Sequence, residues 1–253
     1  MITLAEYVRR TEFFTIAHRG ASGIAPENTI AAMQLAIKHG AAMVEFDVQT
    51  SADNNIVVFH DDDLQRTTNG TGALYSHTYD QLRKLDAGSW FDTAFKGEKI
   101  PLLHEVLAVV SGKAFINVEI KPRDQNPDAS WLIGQLIQEF ELRNLLPYSL
   151  FSSFDHELLL EIREVSNATH TCALNVPGDT RTPSEILRAC KAQAFGCSIH
   201  EMQAEIAHNC KEHGIPWGVY TVNSLEELAH ARSLGVKAVV TNEPHTLAAD
   251  HQL

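Results

Sequence analysis

One pattern constrains this chain more than any other. A short apolar run that reads as a buried strand is followed by an amphipathic stretch that reads as a helix, and the unit recurs from end to end. The strand-like runs fall near 13–18, 42–47, 115–120, 148–152, 171–174, 195–199, 217–221 and 237–241. The helix-like stretches fall near 28–39, 103–111, 129–142, 155–165, 183–193, 202–213 and 224–233. Asn28, Asp155 and Asn223 or Ser224 stand where N-caps belong, and Gly40, Gly214 and Gly235 where helices should stop. Repeated strand–helix units mean a parallel sheet, and eight of them in 253 residues match the size of a (β/α)8 barrel. A doubly wound open sheet is the alternative, but no G-x-G-x-x-G follows the first run, which weakens a nucleotide-binding version of it.

Ile56-Val57-Val58-Phe59 breaks the pattern. It follows Asp47 too closely for a parallel crossover, which needs about a dozen residues or more. It is therefore expected in an insertion spanning about 48–102, after the second strand and over the C-terminal face of the barrel. The turn signals Asp53-Asn54-Asn55, Asn69-Gly70 and Ala87-Gly88 support an irregular excursion there. Residues 1–253 are expected to form a single catalytic domain.

Four strand-like runs end in charged or titratable residues: His18-Arg19, Glu45-Phe46-Asp47, His60-Asp61 and Glu119-Ile120-Lys121. Packing alone does not favour this, because burying an unpaired charge costs several kcal/mol or forces a pKa shift. Glu45 and Asp47 lie two apart on one strand and so share a face. Two adjacent carboxylates repel unless a proton or cation lies between them, and Glu119 at the end of the next barrel strand can add a third oxygen. Oxygen ligands favour Mg²⁺ or Ca²⁺ over zinc. The competing reading is a buried ion network with Arg19 and Lys121. His18 and His60 are the candidate acid and base, since imidazole titrates near neutrality. Arg19 can grip a phosphate through two parallel bonds, and Lys121 can act as a point charge on it. Glu27 can pair with Arg19 or complement the dipole of the first helix.

Composition narrows the partners. The formal charge of −12 argues against nucleic acid or an anionic membrane as the main partner, and no apolar stretch is long enough to span a bilayer. No secretory signal is visible at the start, and the four cysteines make no C-x-x-C pair, as expected of reduced, buried thiols in a cytoplasmic protein. A small-molecule substrate is expected; oligomeric state is not readable.

At these residues the sequence resembles the glycerophosphodiester phosphodiesterase family, in particular its short cytoplasmic bacterial members. The blocks that carry the likeness are His18-Arg19-Gly20, Pro26-Glu27-Asn28-Thr29, Glu45-Phe46-Asp47, Val58-Phe59-His60-Asp61, Arg66-Thr67-Thr68-Asn69-Gly70-Thr71-Gly72, Asn117-Val118-Glu119-Ile120-Lys121, Ser152-Ser153-Phe154 and Tyr220-Thr221-Val222-Asn223. The resemblance implies a barrel with a small insertion after strand 2. It implies one divalent metal on Glu45, Asp47 and Glu119, with His18 and His60 as acid and base and Arg19 and Lys121 at the phosphate. It also implies hydrolysis of glycerophosphodiesters to sn-glycerol 3-phosphate and an alcohol. Tyr220 stands where the family often has Trp, and the resemblance implies an aromatic wall for the glycerol. A lyase ending at a cyclic phosphate and a non-catalytic glycerophosphodiester-binding module are the alternative readings.

Overall fold

The structure, a computed structural model, describes residues 1–122 and 129–247. Nine strands form one sheet: β1 (Phe14–Ala17), β2 (Met43–Thr50), β3 (Ile56–Val58), β4 (Phe115–Ile120), β5 (Ser149–Ser153), β6 (His170–Leu174), β7 (Ala194–Ser198), β8 (Trp217–Tyr220) and β9 (Ala238–Thr241). All but β3 run parallel, and β1 pairs with both β9 and β2, which closes eight strands into a barrel. The open-sheet alternative is thereby excluded. Helices α1 (Leu4–Arg10), α2 (Ile30–Lys38), α3 (Tyr79–Leu82), α4 (Leu103–Val110), α5 (Ala129–Leu142), α6 (His156–Val165), α7 (Pro183–Cys190), α8 (Ala204–His213), α9 (Leu225–Ser233) and α10 (Pro244–Leu247) complete the described elements.

The strands read as continuous apolar runs because both faces are covered. Along β2, Val44, Phe46 and Val48 pack outward in the main core with residues of α2, α4 and α5, while Met43, Glu45 and Asp47 alternate to the inside. The outer layer is held by apolar helix faces such as Val106, Leu107 and Val110 of α4, each fully buried. Such a side chain contributes about 1.5–3 kcal/mol. Asp155 and Ser224 cap α6 and α9 as expected, and Gly40, Gly214 and Gly235 take positive φ. Asn28 does not cap α2. Thr29 does, and Asn28 is turned to another task described below.

The insertion begins later than residue 48. β2 continues to Thr50, and its last residues pair antiparallel with β3 through Val48↔Val58, Gln49↔Val57 and Thr50↔Ile56. The excursion then builds a small core of its own from Val57, Phe59, Leu64, Leu74, Leu82 and Ile100. α1 carries no readable signal, being only two turns long. Thr3 caps it, and its Tyr7 ring packs on Phe14 and Phe115, so the helix packs against the N-terminal end of the barrel. Among the described residues no helix is long and apolar enough to cross a membrane. Cys172, Cys190, Cys197 and Cys210 are all free and buried.

Candidate active site

Register brings the acidic residues together. β2 and β4 align Glu45 with Asn117 and Asp47 with Glu119, so three carboxylates meet at the C-terminal end of two adjacent strands. Their oxygens lie within 4.8 Å of one another. Lys121, only 4% exposed, reaches back to Asp47 Oδ1 at 2.6 Å and Glu119 Oε1 at 2.5 Å. Arg19 Nε lies 3.3 Å from Asp47 Oδ2, and its Nη1 donates to Glu27 Oε1 at 2.6 Å. The Arg19–Glu27 pair settles the question left open for Glu27.

Backbone shape at β1 explains the His18-Arg19-Gly20 block. Arg19 has φ +54° and Gly20 φ +82°, so the chain turns sharply as it leaves the strand. Arg19 N–H then donates to Glu45 Oε2 at 2.8 Å. A Cβ on Gly20 would sit 2.6 Å from the Ala32 carbonyl carbon, so only glycine lets α2 approach this closely. Asn28, also left-handed with φ +58°, aims its amide at Asp47: Nδ2 donates to Oδ2 at 2.8 Å, and Oδ1 accepts from Asp47 N–H at 3.3 Å.

The electrostatics of the three acids differ. Burial, and then the charges of Asp47 and Glu119, push the Glu45 carboxyl well above the usual carboxylate range. Burial also raises Asp47, but Lys121 and then Arg19 outweigh it and hold that group ionised. Glu45 Oε1 is buried with no hydrogen-bond partner. The two cations therefore satisfy Asp47 and Glu119 and leave Glu45 oxygen bare, which a closed ion network does not explain. A carboxylate oxygen so placed, beside two others, fits a cation ligand, and the Glu45–Asp47–Glu119 cluster can hold a metal.

Both imidazoles line the same pocket, about 670 Å³ in volume, together with Arg19, Glu119 and Lys121. His18 Nδ1 is 2.7 Å from Asn242 Oδ1, an atom that only accepts, so Nδ1 carries the proton and Nε2 is left with its lone pair. Burial and the adjacent Arg19 guanidinium push this imidazole down to about 4, which keeps it neutral at neutral pH. His60 arrives on the insertion, just beyond β3, and its Nδ1 is 2.6 Å from Asp61 Oδ1. Arg66 locks the pair in place. Its Nε and Nη2 donate to Asp61 at 2.5 and 2.9 Å, and its Nη1 and Nη2 donate to Glu27 at 2.8 and 2.7 Å. Gln49 Nε2, on the extension of β2, lies 2.9–3.1 Å from the carbonyls of Phe59, His60 and Asp61 and shares its two N–H groups among them. Tyr220 meets Phe154 edge-on at 6.1 Å, and the two rings form an aromatic wall of the pocket.

Every residue singled out from the sequence thus lies at this one pocket or in the ion cluster at its base. Asn242, the partner of His18, is a site residue that the sequence reading missed. It follows the last barrel strand and carries no charge, so nothing in its local pattern marks it.

A family model described as "Glycerophosphoryl diester phosphodiesterase family" matches residues 18–246. The chain belongs to that family. YhdW of Bacillus subtilis is 35% identical over 241 residues, covering 94% of this chain and 97% of YhdW. A Caldanaerobacter subterraneus glycerophosphodiester phosphodiesterase is 33% identical over 243 residues, covering 92% of this chain and 95% of its own. Among solved structures, an Oleispira antarctica phosphodiesterase in complex with the product sn-glycerol-3-phosphate superposes with a TM-score of 0.87 at 29% identity, covering 93% of this chain and 95% of that one. The matched range of the family model begins at His18 and takes in the whole ion cluster, both histidines and the insertion.

Proposed function

We propose that this chain hydrolyses glycerophosphodiesters, the deacylated forms of phospholipids, to sn-glycerol 3-phosphate and an alcohol. The observation that carries the reading is the buried Glu45 oxygen, without a hydrogen-bond partner, beside Asp47 and Glu119 in a cluster that can hold a cation at the floor of a pocket lined by both histidines. Family membership and the product-bound relative support it. The proposal takes residues 1–253 as one catalytic unit acting on a small molecule, in the cytoplasm, where four free thiols stay reduced.

Glu45, Asp47 and Glu119 would hold Mg²⁺ or Ca²⁺, both of which take carboxylate and water oxygens. The ion would supply Lewis-acid stabilisation of charge on the phosphoryl oxygens. Arg19 and Lys121 bring fixed positive charge to the same oxygens, already aligned by their carboxylate partners. His18, neutral and with Nε2 free, takes the proton from the glycerol hydroxyl that attacks phosphorus. His60, oriented by Asp61, gives a proton to the departing alcohol oxygen. The oxygen–phosphorus bond that forms closes a cyclic phosphate as the bond to the alcohol breaks. Water then opens the ring with the two imidazoles in exchanged roles. The neighbouring hydroxyl is favoured over free water because an oriented intramolecular group acts at high effective molarity. Tyr220 and Phe154 flank the glycerol.

A coupled glycerol 3-phosphate assay over a panel of glycerophosphodiesters, with and without chelator, tests the reading. Chelation should abolish product formation, and added Mg²⁺ or Ca²⁺ should restore it. Full turnover in a sample shown by elemental analysis to be metal-free would overturn the metal assignment. An analogue blocked at the free glycerol hydroxyl should not turn over, and undiminished turnover would exclude the cyclic route.

A further inference from the structure

Barrels of this type are filled by layers of side chains and form a packed core rather than a pore. Here the filling is lopsided. Phe14, Ile16, Met43 and Phe115 crowd the inside from β1, β2 and β4. From β6 to β9 the inward side chains of Cys172, Ala194 and Ala238 are small and leave space at the axis, while Leu174 packs over Gly196. The result is a cavity of about 360 Å³ beneath the catalytic pocket, with Leu4 and Val8 of α1 among the residues that line its far end. An engineered apolar cavity of about 150 Å³ already binds benzene, and small-molecule pockets begin near 300 Å³. Four residues of tilted strand, from Lys237 to Val240, give it a depth of about 10 Å.

Its walls are mostly apolar, and His170, Gln193 and Lys237 stand at the N-terminal mouth. The Lys237 ammonium donates to the Thr11 carbonyl, which uses one of its three donors. At the other end Asn117, Leu174, Tyr220 and Val240 line both the cavity and the catalytic pocket, so a thin partition separates them. A narrow apolar slot with a cation at its entrance has the chemistry to take an unbranched alkyl chain that ends in a carboxylate.

We infer that the barrel interior is a binding site for a fatty carboxylate, its chain along the axis and its head at Lys237. The choice of occupant rests on the proposed function. Glycerophosphodiesters must be supplied by a reaction that removes both acyl chains from a glycerophospholipid, and hydrolysis of each ester releases one fatty carboxylate. The substrate and this guest are thus products of the same supplying reaction.

Calorimetric titration of the full chain with decanoate, with decanol as the uncharged comparison, tests the site. Decanoate should bind saturably and raise Tm, and more tightly than decanol. Ala194→Leu and Ala238→Leu, which fill the cavity from two strands, should each weaken decanoate binding tenfold or more while glycerophosphodiester turnover persists. Lys237→Gln should weaken decanoate and leave decanol unchanged. No saturable decanoate binding, binding unaffected by either leucine variant, or equal affinity for decanoate and decanol would overturn the inference. Should both leucine variants fail to fold, crystals of the wild-type chain soaked with terminally brominated decanoate decide the matter: bromine inside the barrel supports the site, and bromine elsewhere only removes it. Turnover measured on the same samples separates the two readings, since a chain that hydrolyses glycerophosphodiesters yet ignores decanoate disproves this inference alone.

Discussion

The side-chain amide of Asn28 brackets Asp47, donating to its carboxylate at 2.8 Å and accepting from its backbone N–H at 3.3 Å. Both residues are buried, and Asn28 reaches this position only through a left-handed backbone one residue ahead of the cap of α2. Where a carboxylate so placed holds a metal, as proposed for Asp47, groups that orient it typically control affinity or activity by about 10–100-fold. Asn28→Ala should therefore raise the Mg²⁺ concentration needed for half-maximal activity by a factor in that range. A metal titration of turnover checks it, and an unchanged midpoint would make Asn28 a structural residue only.

His18 rests on Asn242 and His60 on Asp61. His18→Ala and His60→Ala should each lose about 10²-fold or more in kcat, the usual scale for an acid or base. A folded variant with near-wild-type kcat would remove that histidine from the mechanism.

Arg66 ties the insertion to the barrel, since it grips Asp61 on one side and Glu27 on the other. Its removal frees the carboxylate that orients His60. Arg66→Ala should lower kcat by up to about 10²-fold, as expected when a reacting group is misplaced by about 1 Å. KM should change much less. Steady-state kinetics separate the two, and a pure KM effect would assign Arg66 to substrate binding instead.

Asp86 organises the far loop of the insertion. It accepts from the N–H groups of Gly88, Ser89 and Gly97 and from the Ser89 hydroxyl. The Ser89 and Gly88 N–H groups hold its carboxyl below the usual range. A lowered folded pKa contributes stability that is complete above the ordinary aspartate value of about 3.9 and is lost as pH falls from there through the folded value. Asp86→Asn should therefore lower Tm at neutral pH, with the gap to wild type constant down to about pH 4 and narrowing below it. Thermal melts across that range test the sign, and a gap that widens on acidification would refute it.

Gly20→Ala meets two obstacles, a positive φ and an Ala32 carbonyl carbon 2.6 Å from the new Cβ. The loss should exceed about 1 kcal/mol in urea unfolding. It should also depress activity, because the turn at Gly20 carries both His18 and the Arg19 N–H that binds Glu45.

Much of this was legible in the residues. Seven of the eight barrel strands lie within one residue of their expected bounds and β2 runs three residues past its own, because burial on both faces writes a strand as an unbroken apolar run. The charged residues at strand ends marked the site for the same reason, being costly where they stand. What escaped was whatever lacks a periodic or charge signal. α1 is too short to show a helical repeat. Asn28 looks like a cap because the cap, Thr29, is its neighbour and both are good capping residues. Asn242 is uncharged and is joined to His18 only by closure of the barrel, 224 residues along the chain. The extension of β2 was invisible because Gln49 and Thr50 are polar, although both are buried by the insertion.

That extension makes β2 a shared beam. Its lower half belongs to the barrel wall and carries Glu45 and Asp47, while its upper half is zipped to β3, whose end delivers His60. An insertion at this point takes its alignment with the acids from the Val48–Thr50 ladder and from the Arg66 tie to Glu27. Residues 69–99 can therefore vary while these two supports hold His60 over the acidic cluster.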